Sequence, residues 1–299
     1  MATVSHPPFD SPRQRWNEEE DGVYILNRGD LAAERRRLEW NHHNIWLPVC
    51  DGQLCPPEIL AHLRALPSPR VAEVATGTGI WLRELAAQLP ASAELRGIDM
   101  DATKFPPASE LPPNMSMTKH NALRPFPEDM RGTFDVVHVR LIVLGMKKGD
   151  WEVVAEHLHT LLKPGGYLLW AEVGDIMKCV PPSTVVDEWM RVTALWAMKT
   201  GRDMYMPARL PAVLKDAGFK DVNSRLFHTF AAKDMLREAM AHPAVNVVRP
   251  VMLGVLEDGG VDGMRSMKDL EAMEEAMGRE IKEKGLLMGL QYNWFWGRT

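Results

Sequence analysis

The chain has 299 residues, of which 45% are hydrophobic and 25% are charged, a composition typical of an ordinary globular protein. Its formal net charge of −5 gives no sign of the basic surface that nucleic-acid-binding proteins carry. Three cysteines are too few for a disulfide framework, and their spacing from the histidines does not suggest a metal site. No apolar stretch approaches the length of a membrane helix. We therefore expect a cytoplasmic protein that binds no metal, no nucleic acid and no membrane.

The N-terminal part of the chain is predicted to be helical after a flexible tail. The first 20 residues are polar, contain several prolines and have no apolar segment typical of a signal peptide. Residues 21–69 are expected to form a helical cap. Its first helix would begin after Asp30, run to about Ile45 and be ended by Pro48. A second, shorter helix follows it.

From residue 70 onward, short apolar strands alternate with helices. Strands are predicted at 71–74, 94–98, 115–120, 134–140, 167–173 and 222–230, and helices at 80–89, 151–162, 183–198 and 209–217. This alternation predicts a parallel sheet covered by helices on both faces. Residues 70–231 would form this α/β core, residues 232–285 a Met-rich helical insert, and residues 286–299 a last strand that returns to the sheet.

A glycine-rich turn joins the first predicted strand to the helix that follows it. The run is Glu73-Val74-Ala75-Thr76-Gly77-Thr78-Gly79. Glycine lets the backbone approach a ligand closely, and a helix N-terminus offers N–H groups to an anion. Trp81 and Leu82 stand where a dinucleotide-binding turn would place its third glycine. The turn therefore favours a ligand with a carboxylate and no phosphate, with a plain strand-to-helix turn as the alternative.

Polar residues also follow the second and third predicted strands. Asp99 comes 20 residues after Gly79, and a carboxylate there can accept hydrogen bonds from ribose hydroxyls. Asp101 is a rival for that role. Asn121 could pair with an adenine edge. Each could instead be an ordinary loop residue, but open α/β sheets bind ligands at the carboxyl ends of adjacent strands.

The run from Val71 to Leu82 resembles motif I of fungal secondary-metabolism methyltransferases of the class I fold. That group includes natural-product enzymes and methyltransferase-like regulators of gene clusters. Further similar segments are 97–99, 105–107, 111–114, 134–140 and 161–170. The resemblance implies a class I, Rossmann-like, seven-stranded α/β sheet with an N-terminal helical cap and a helical insert before the last strand. It also implies S-adenosylmethionine as the cofactor.

The resemblance further implies which residues bind this cofactor. They are Tyr24, Glu73, Ala75, Thr76, Gly77, Gly79, Trp81, Asp99, Met100, Asn121, Ala122, His138 and Arg140. Many relatives have glycine in place of Ala75 and aspartate in place of Asn121. A small residue at the first position and an amide oxygen at the second should still permit binding.

The predicted reaction is methyl transfer to an O, N or S atom of a small, apolar secondary metabolite. Such a displacement depends mainly on alignment, and a general base is needed only where the acceptor carries a proton. The candidate bases are His138, His42 and His43, although each could simply be a packed histidine. The insert 232–285 would be a lid over the acceptor pocket, and the protein could form a homodimer. The alternatives are a cyclase or isomerase that uses the cofactor site, or a gene-cluster regulator.

Overall fold

The computed structural model describes residues 31–229 and 247–299. Within them the chain begins with helix α1, Leu31–Asn41, which continues through a π-helical turn, His42–Trp46, and a short α-helical turn, Leu47–Val49. Helix α2, Pro57–Ala65, completes the cap. The prediction that Pro48 ends the first helix is wrong. Pro48 lies inside a continuous helical run, which ends one residue later at Val49.

Seven strands form one sheet, and the predicted seven-stranded, mostly parallel α/β fold is confirmed. The strands are β1 (Arg70–Val74), β2 (Glu94–Asp99), β3 (Met115–Lys119), β4 (Phe134–Arg140), β5 (Leu162–Val180), β6 (Lys220–His228) and β7 (Leu287–Arg298). Their order across the sheet is β3-β2-β1-β4-β5-β7-β6. Strands β1 to β5 pair in parallel, and β7 runs antiparallel between β5 and β6. Strand β5 is longer than expected because it continues to pair with β7.

Helices cover both faces of this sheet. After the cap, the described residues form the α-helices α3 (Ile80–Ala86), α4 (Asp150–Leu161), α5 (Thr184–Thr200), α6 (Leu210–Asp216), α7 (247–257) and α8 (Met267–Lys284). Helix α4 has one apolar face that packs on the sheet. The residues on this face are fully buried: Trp151, Val154, Leu158 and Leu161. Helices α4 and α6 cover one face of the sheet, and the cap with α3 covers the other.

The described part of the predicted insert forms a core of its own with α5. Met252, Met273 and Met277 are buried against Trp189 and Trp196 of that helix. These methionines therefore belong to a packed core. Residues 232–246 of the insert lie outside the described part of the chain, and its role as a lid stays a prediction.

None of the helices within residues 31–229 and 247–299 combines the length and the apolar character that a membrane span requires.

Candidate functional site

The turn between β1 and α3 has a left-handed backbone at three positions. The φ angle is +56° at Ala75, +57° at Gly77 and +71° at Gly79. Ala75 adopts this conformation at a cost of about 1–2 kcal/mol, which glycine would not incur. A Cβ atom on Gly79 would lie 2.6 Å from Cε of Met115, and the left-handed φ favours glycine at this position. The turn therefore lies close against side chains of β3.

Asp99 ends β2 and holds the glycine turn. Its Oδ2 accepts the N–H of Gly77 at 2.8 Å, and its Oδ1 accepts the N–H of Asp101 at 2.9 Å. Burial raises the pKa of this carboxyl group. The Asp101 carboxylate instead accepts hydrogen bonds from the backbone and hydroxyl of Thr103, at 3.0 and 2.6 Å. Asp99, rather than its rival, faces the turn.

The residues after β2 and β3 are brought together by pairing at the strand ends. The N–H of His120 donates to the Asp99 carbonyl at 2.9 Å, and Met100, which is half-buried, follows directly. The side-chain oxygen of Asn121 accepts the N–H of Leu123 at 2.9 Å. This Asx turn uses one lone pair of that oxygen. Asn121 and Leu123 are half-buried at the carboxyl edge of the sheet. Ala122 lies between them, and its carbonyl accepts a hydrogen bond from His157.

Glu73 and His138 are register partners on β1 and β4, and both side chains are fully buried. The distance between His138 Nδ1 and Glu73 Oε1 is 3.2 Å, and Arg140 Nε lies 3.6 Å from the same oxygen. Glu73 Oε2 accepts the hydroxyl of Thr76 at 2.6 Å. Burial acts to raise the pKa of Glu73, but His138, Arg140 and Thr76 together lower it, so the carboxylate is ionised. Burial lowers the pKa of His138, which keeps its ring neutral.

Trp81 stacks on His138 of this pair. Its ring stacks on the imidazole of His138, with centroids 3.8 Å apart and planes inclined at 23°. Its indole N–H donates to the carbonyl of Leu54 in the cap at 2.9 Å. Trp81 thus joins α3, β4 and the cap.

His42 is buried, and both of its ring nitrogens have partners. Arg140 Nη1 lies 2.9 Å from Nδ1, and because a guanidinium can only donate, Nδ1 accepts. The ring proton is therefore on Nε2, which donates to Glu84 at 3.0 Å. Burial first, and then the charge of Arg140, lower the pKa of His42 to about 4. His43, with 49% of its side chain exposed, contacts the other oxygen of Glu84.

His42, His43 and Glu84 have ligand atoms within 4.8 Å of one another, a spacing that could hold a metal ion. A metal-bound histidine presents a lone pair to the ion and usually donates from its other nitrogen. His42 has the opposite arrangement, because Arg140 donates to Nδ1 and the proton is on Nε2. The geometry favours a hydrogen-bonded network here, and the absence of a metal stays a prediction.

A cavity of about 20 Å³, with room for about one water molecule, lies between the cap and strands β4 and β7 and opens to solvent. Its walls include Trp46, Trp81, Tyr292 and Trp294, and its polar groups include His42, His138 and Arg140. The rings of Trp46 and Tyr292 stack with centroids 4.8 Å apart. The structure thus brings His42, His138, Arg140 and Trp81 into one cavity. His43 does not line it, and Tyr24 lies outside the described residues.

Several residues of this cavity were not predicted from the sequence. Trp46 and Cys50 follow His42 by four and eight positions, the spacing of residues on one face of a helix, and this spacing is the signal that could have indicated them. Tyr292 and Trp294 alternate along the last strand, which is the signal of a shared face. Glu84 has no such signal, because only the folded cap brings it to His42.

Residues 52–224, more than half of the chain, match the model of a family described as a methyltransferase domain. The chain belongs to this methyltransferase family. Methyltransferase grgD from a Penicillium species is 32% identical over 230 residues, which are 73% of this chain and 77% of that protein. N-methyltransferase tcpN from Claviceps purpurea is 29% identical over 230 residues, with coverage of 73% and 79%.

A solved structure shows the same fold. Haemonchus contortus phosphoethanolamine N-methyltransferase 2, in complex with phosphomonomethylethanolamine and S-adenosylhomocysteine, is 15% identical to this methyltransferase, with a TM-score of 0.51. The alignment covers 89% of this methyltransferase and 57% of that chain, so the methyltransferase described here spans less than two thirds of that structure's length. The predicted family and the predicted fold are both confirmed.

Proposed function

We propose that this methyltransferase transfers the methyl group of S-adenosylmethionine to an O, N or S atom of a small, apolar metabolite bound under the cap. One observation carries the proposal: the glycine turn is hydrogen-bonded to Asp99 at the carboxyl edge of the sheet, beside an aromatic cavity. When bound, the cofactor supplies an activated methyl group on a sulfonium. The chain's own residues bind, orient and exclude water.

Unpaired buried atoms around the turn support a polar ligand there. Oγ1 of Thr78 in the turn and Oδ1 of Asn41 in α1 are buried and have no hydrogen-bond partner among the described residues. Each such group costs about 1–3 kcal/mol if it stays unpaired. The amino and carboxylate groups of S-adenosylmethionine are suitable partners for polar atoms of this kind. The residues at the glycine turn therefore fit the cofactor.

The other proposed cofactor contacts follow from the positions of the strand ends. Asp99 would accept hydrogen bonds from the ribose, because each carboxylate oxygen retains a lone pair beyond its backbone partner. Asn121, with Met100 and Ala122 beside it, would contact the adenine. The backbone of residues 75–79 would face the amino acid end of the cofactor, together with Arg140. Tyr24 remains a predicted contact from the sequence.

The charges in the cavity support an uncharged, apolar acceptor. The positive charge of Arg140 is balanced by the ionised Glu73, and lowered pKa values keep His42 and His138 neutral. The aromatic walls favour an apolar group over a charged one. An isolated charge on the acceptor would have no partner here and would lose its hydration on entry.

Among the three candidate bases, the geometry favours His138. Its Nδ1 faces the Glu73 carboxylate, which would keep a proton on that nitrogen and stabilise the imidazolium formed when Nε2 accepts a proton. Nε2 of His138 would accept the proton of an acceptor hydroxyl during methyl transfer. His42 cannot serve this way because Arg140 and Glu84 engage both of its nitrogens. His43 lies outside the cavity.

The test compares three single variants, His138→Gln, His42→Gln and His43→Gln. Each is checked for S-adenosylhomocysteine affinity by calorimetry and then for single-turnover transfer of labelled methyl to a small-molecule extract of the source organism. We expect His138→Gln to lose about 100-fold in rate at neutral pH and to recover part of it as the pH rises. His43→Gln is the matched control and should keep its rate.

Two outcomes contradict the proposal. Full rates in all three variants would show that none of these histidines acts as a general base and that catalysis depends on alignment of the reactants alone. Cofactor binding without any label transfer by the unaltered protein would favour the alternatives of a cyclase, an isomerase or a regulator.

A further inference from the structure

Glu172 is a fully buried carboxyl group on β5, with 0% of the residue exposed. Its Oε2 accepts the N–H of Ile142 at 2.9 Å and that of Val143 at 3.2 Å. Its Oε1 accepts the N–H of Val173 at 3.0 Å. Burying an ionisable group is costly, and three main-chain donors are what compensates it here. The carboxyl group therefore fixes the backbone that follows β4.

The backbone that Glu172 holds is strained. Leu141, the first residue after β4, has φ +55°, a left-handed conformation that costs a leucine about 1–2 kcal/mol. Its N–H donates to the Ala171 carbonyl at 3.0 Å, and the next two N–H groups are those bound by Glu172. The conformation persists because these hydrogen bonds over-determine it, an arrangement that recurs at functional sites.

Arg140 directly precedes the strained residue. Its guanidinium lies between the cap and the sheet, 2.9 Å from His42 Nδ1 and 3.6 Å from Glu73 Oε1. Because the left-handed Leu141 directly follows Arg140, loss of that conformation would alter the backbone at the end of β4 and move the guanidinium out of this gap. No other residue in the described part of the chain is shown to accept hydrogen bonds from both Ile142 and Val143.

We propose that Glu172 is a positioning residue: it holds the turn 141–143 in its left-handed form and thereby places Arg140 between His42 and Glu73. The proposal deepens the proposed function, since Arg140 belongs to the proposed site. It is nevertheless tested in the cofactor-free protein, so its failure is distinguishable from a failure of the methyl-transfer proposal.

The experiment follows the ring of His42 by NMR titration in the full chain. The groups that face this ring are Arg140, Glu84 and His43, and the charge of Arg140 lowers its pKa. Glu172→Leu removes all three acceptor contacts at similar volume, so Arg140 should leave the gap and the pKa of His42 should rise by at least about one unit. Glu172→Gln keeps an oxygen for Ile142 and Val143 and should titrate like the unaltered protein.

A second variant separates positioning from a general loss of packing. Glycine adopts a left-handed φ without strain, so Glu172→Leu combined with Leu141→Gly should return the pKa of His42 toward about 4. This double variant also serves if Glu172→Leu alone does not fold.

The matched control is Asp135→Leu at the opposite end of β4. Asp135 is also a buried carboxylate that accepts a main-chain N–H, that of Arg70 at 2.8 Å. The Asp135→Leu variant should be less stable than the unaltered protein, and its His42 titration should be unchanged. The proposal is overturned if folded Glu172→Leu titrates like the unaltered protein, if the glycine variant restores nothing, or if Asp135→Leu shifts His42 equally.

Discussion

Asp99 connects two backbone segments through one side chain. Its two carboxylate oxygens accept N–H groups from the glycine turn and from the loop after β2. Ribose hydroxyls would add hydrogen bonds to a carboxylate that is already fixed, so little side-chain entropy would be lost on binding. We therefore expect hydrogen bonds from a ligand to Asp99 to contribute strongly to affinity.

We predict that Asp99→Ala weakens the binding of S-adenosylhomocysteine at least tenfold, about 1.4 kcal/mol, because the ribose loses its acceptor and the turn loses its support. Isothermal calorimetry on the folded variant measures this. Asp101→Ala is the control, since the Asp101 side chain bonds Thr103 instead of the turn. Unchanged affinity in folded Asp99→Ala would remove Asp99 from the site.

At the scale of elements, the cap lies across the proposed cofactor site. Leu38 Cδ1 is only 3.3 Å from where a Cβ on Gly77 would stand. Arg35 donates to the carbonyls of Thr103 and Phe105 after β2, at 2.7 and 2.6 Å. Helix α1 therefore covers both the glycine turn and the loop that follows Asp99, and a ligand bound there must leave past it.

We predict that Arg35→Ala speeds the release of S-adenosylhomocysteine about tenfold, because two charge-assisted hydrogen bonds that hold α1 down are lost. Stopped-flow measurement of the dissociation rate tests this. Arg64→Ala is the matched control, since Arg64 donates to the Gln88 carbonyl at an exposed position on α2. If both variants release the ligand at the rate of the unaltered protein, α1 does not limit release.

At the scale of the whole molecule, buried titratable groups make the free energy of unfolding depend on pH, and two of them act in opposite directions. Burial raises the pKa of Glu172 to about 8, so its contribution is full below its ordinary pKa of 4.5 and is lost as the pH rises through 8. Burial and Arg140 lower the pKa of His42 to about 4, so its contribution is present above 6.5 and is lost as the pH falls.

We predict that Glu172→Gln removes the alkaline part of this dependence, because its amide carries no proton to lose. Between pH 6.5 and 8 the unaltered protein should lose up to about 1.4 kcal/mol of unfolding free energy per pH unit relative to the variant. Urea unfolding at a series of pH values measures both proteins. Parallel curves over that range would show that Glu172 does not bind a proton on folding.

Local patterns in the sequence were enough to predict the order of strands and helices, the glycine turn and Asp99 at the end of β2. Hydrophobic periodicity and turn residues act over a few positions, so they survive without knowledge of the fold. Pro48 shows that a helix end can be mispredicted from local sequence, because whether a proline ends a helix depends on which hydrogen bond it removes.

Only the tertiary structure decided which side chains meet at the site. Glu73 faces His138 because β1 and β4 pair in that register, and Arg140 reaches His42 across 98 positions of sequence. The burial that shifts the pKa values of His42 and Glu172 depends on layers contributed by distant segments. A sequence pattern specifies the face on which a residue lies, but its partner on that face is set by strand register and packing between elements, which are long-range properties of the fold.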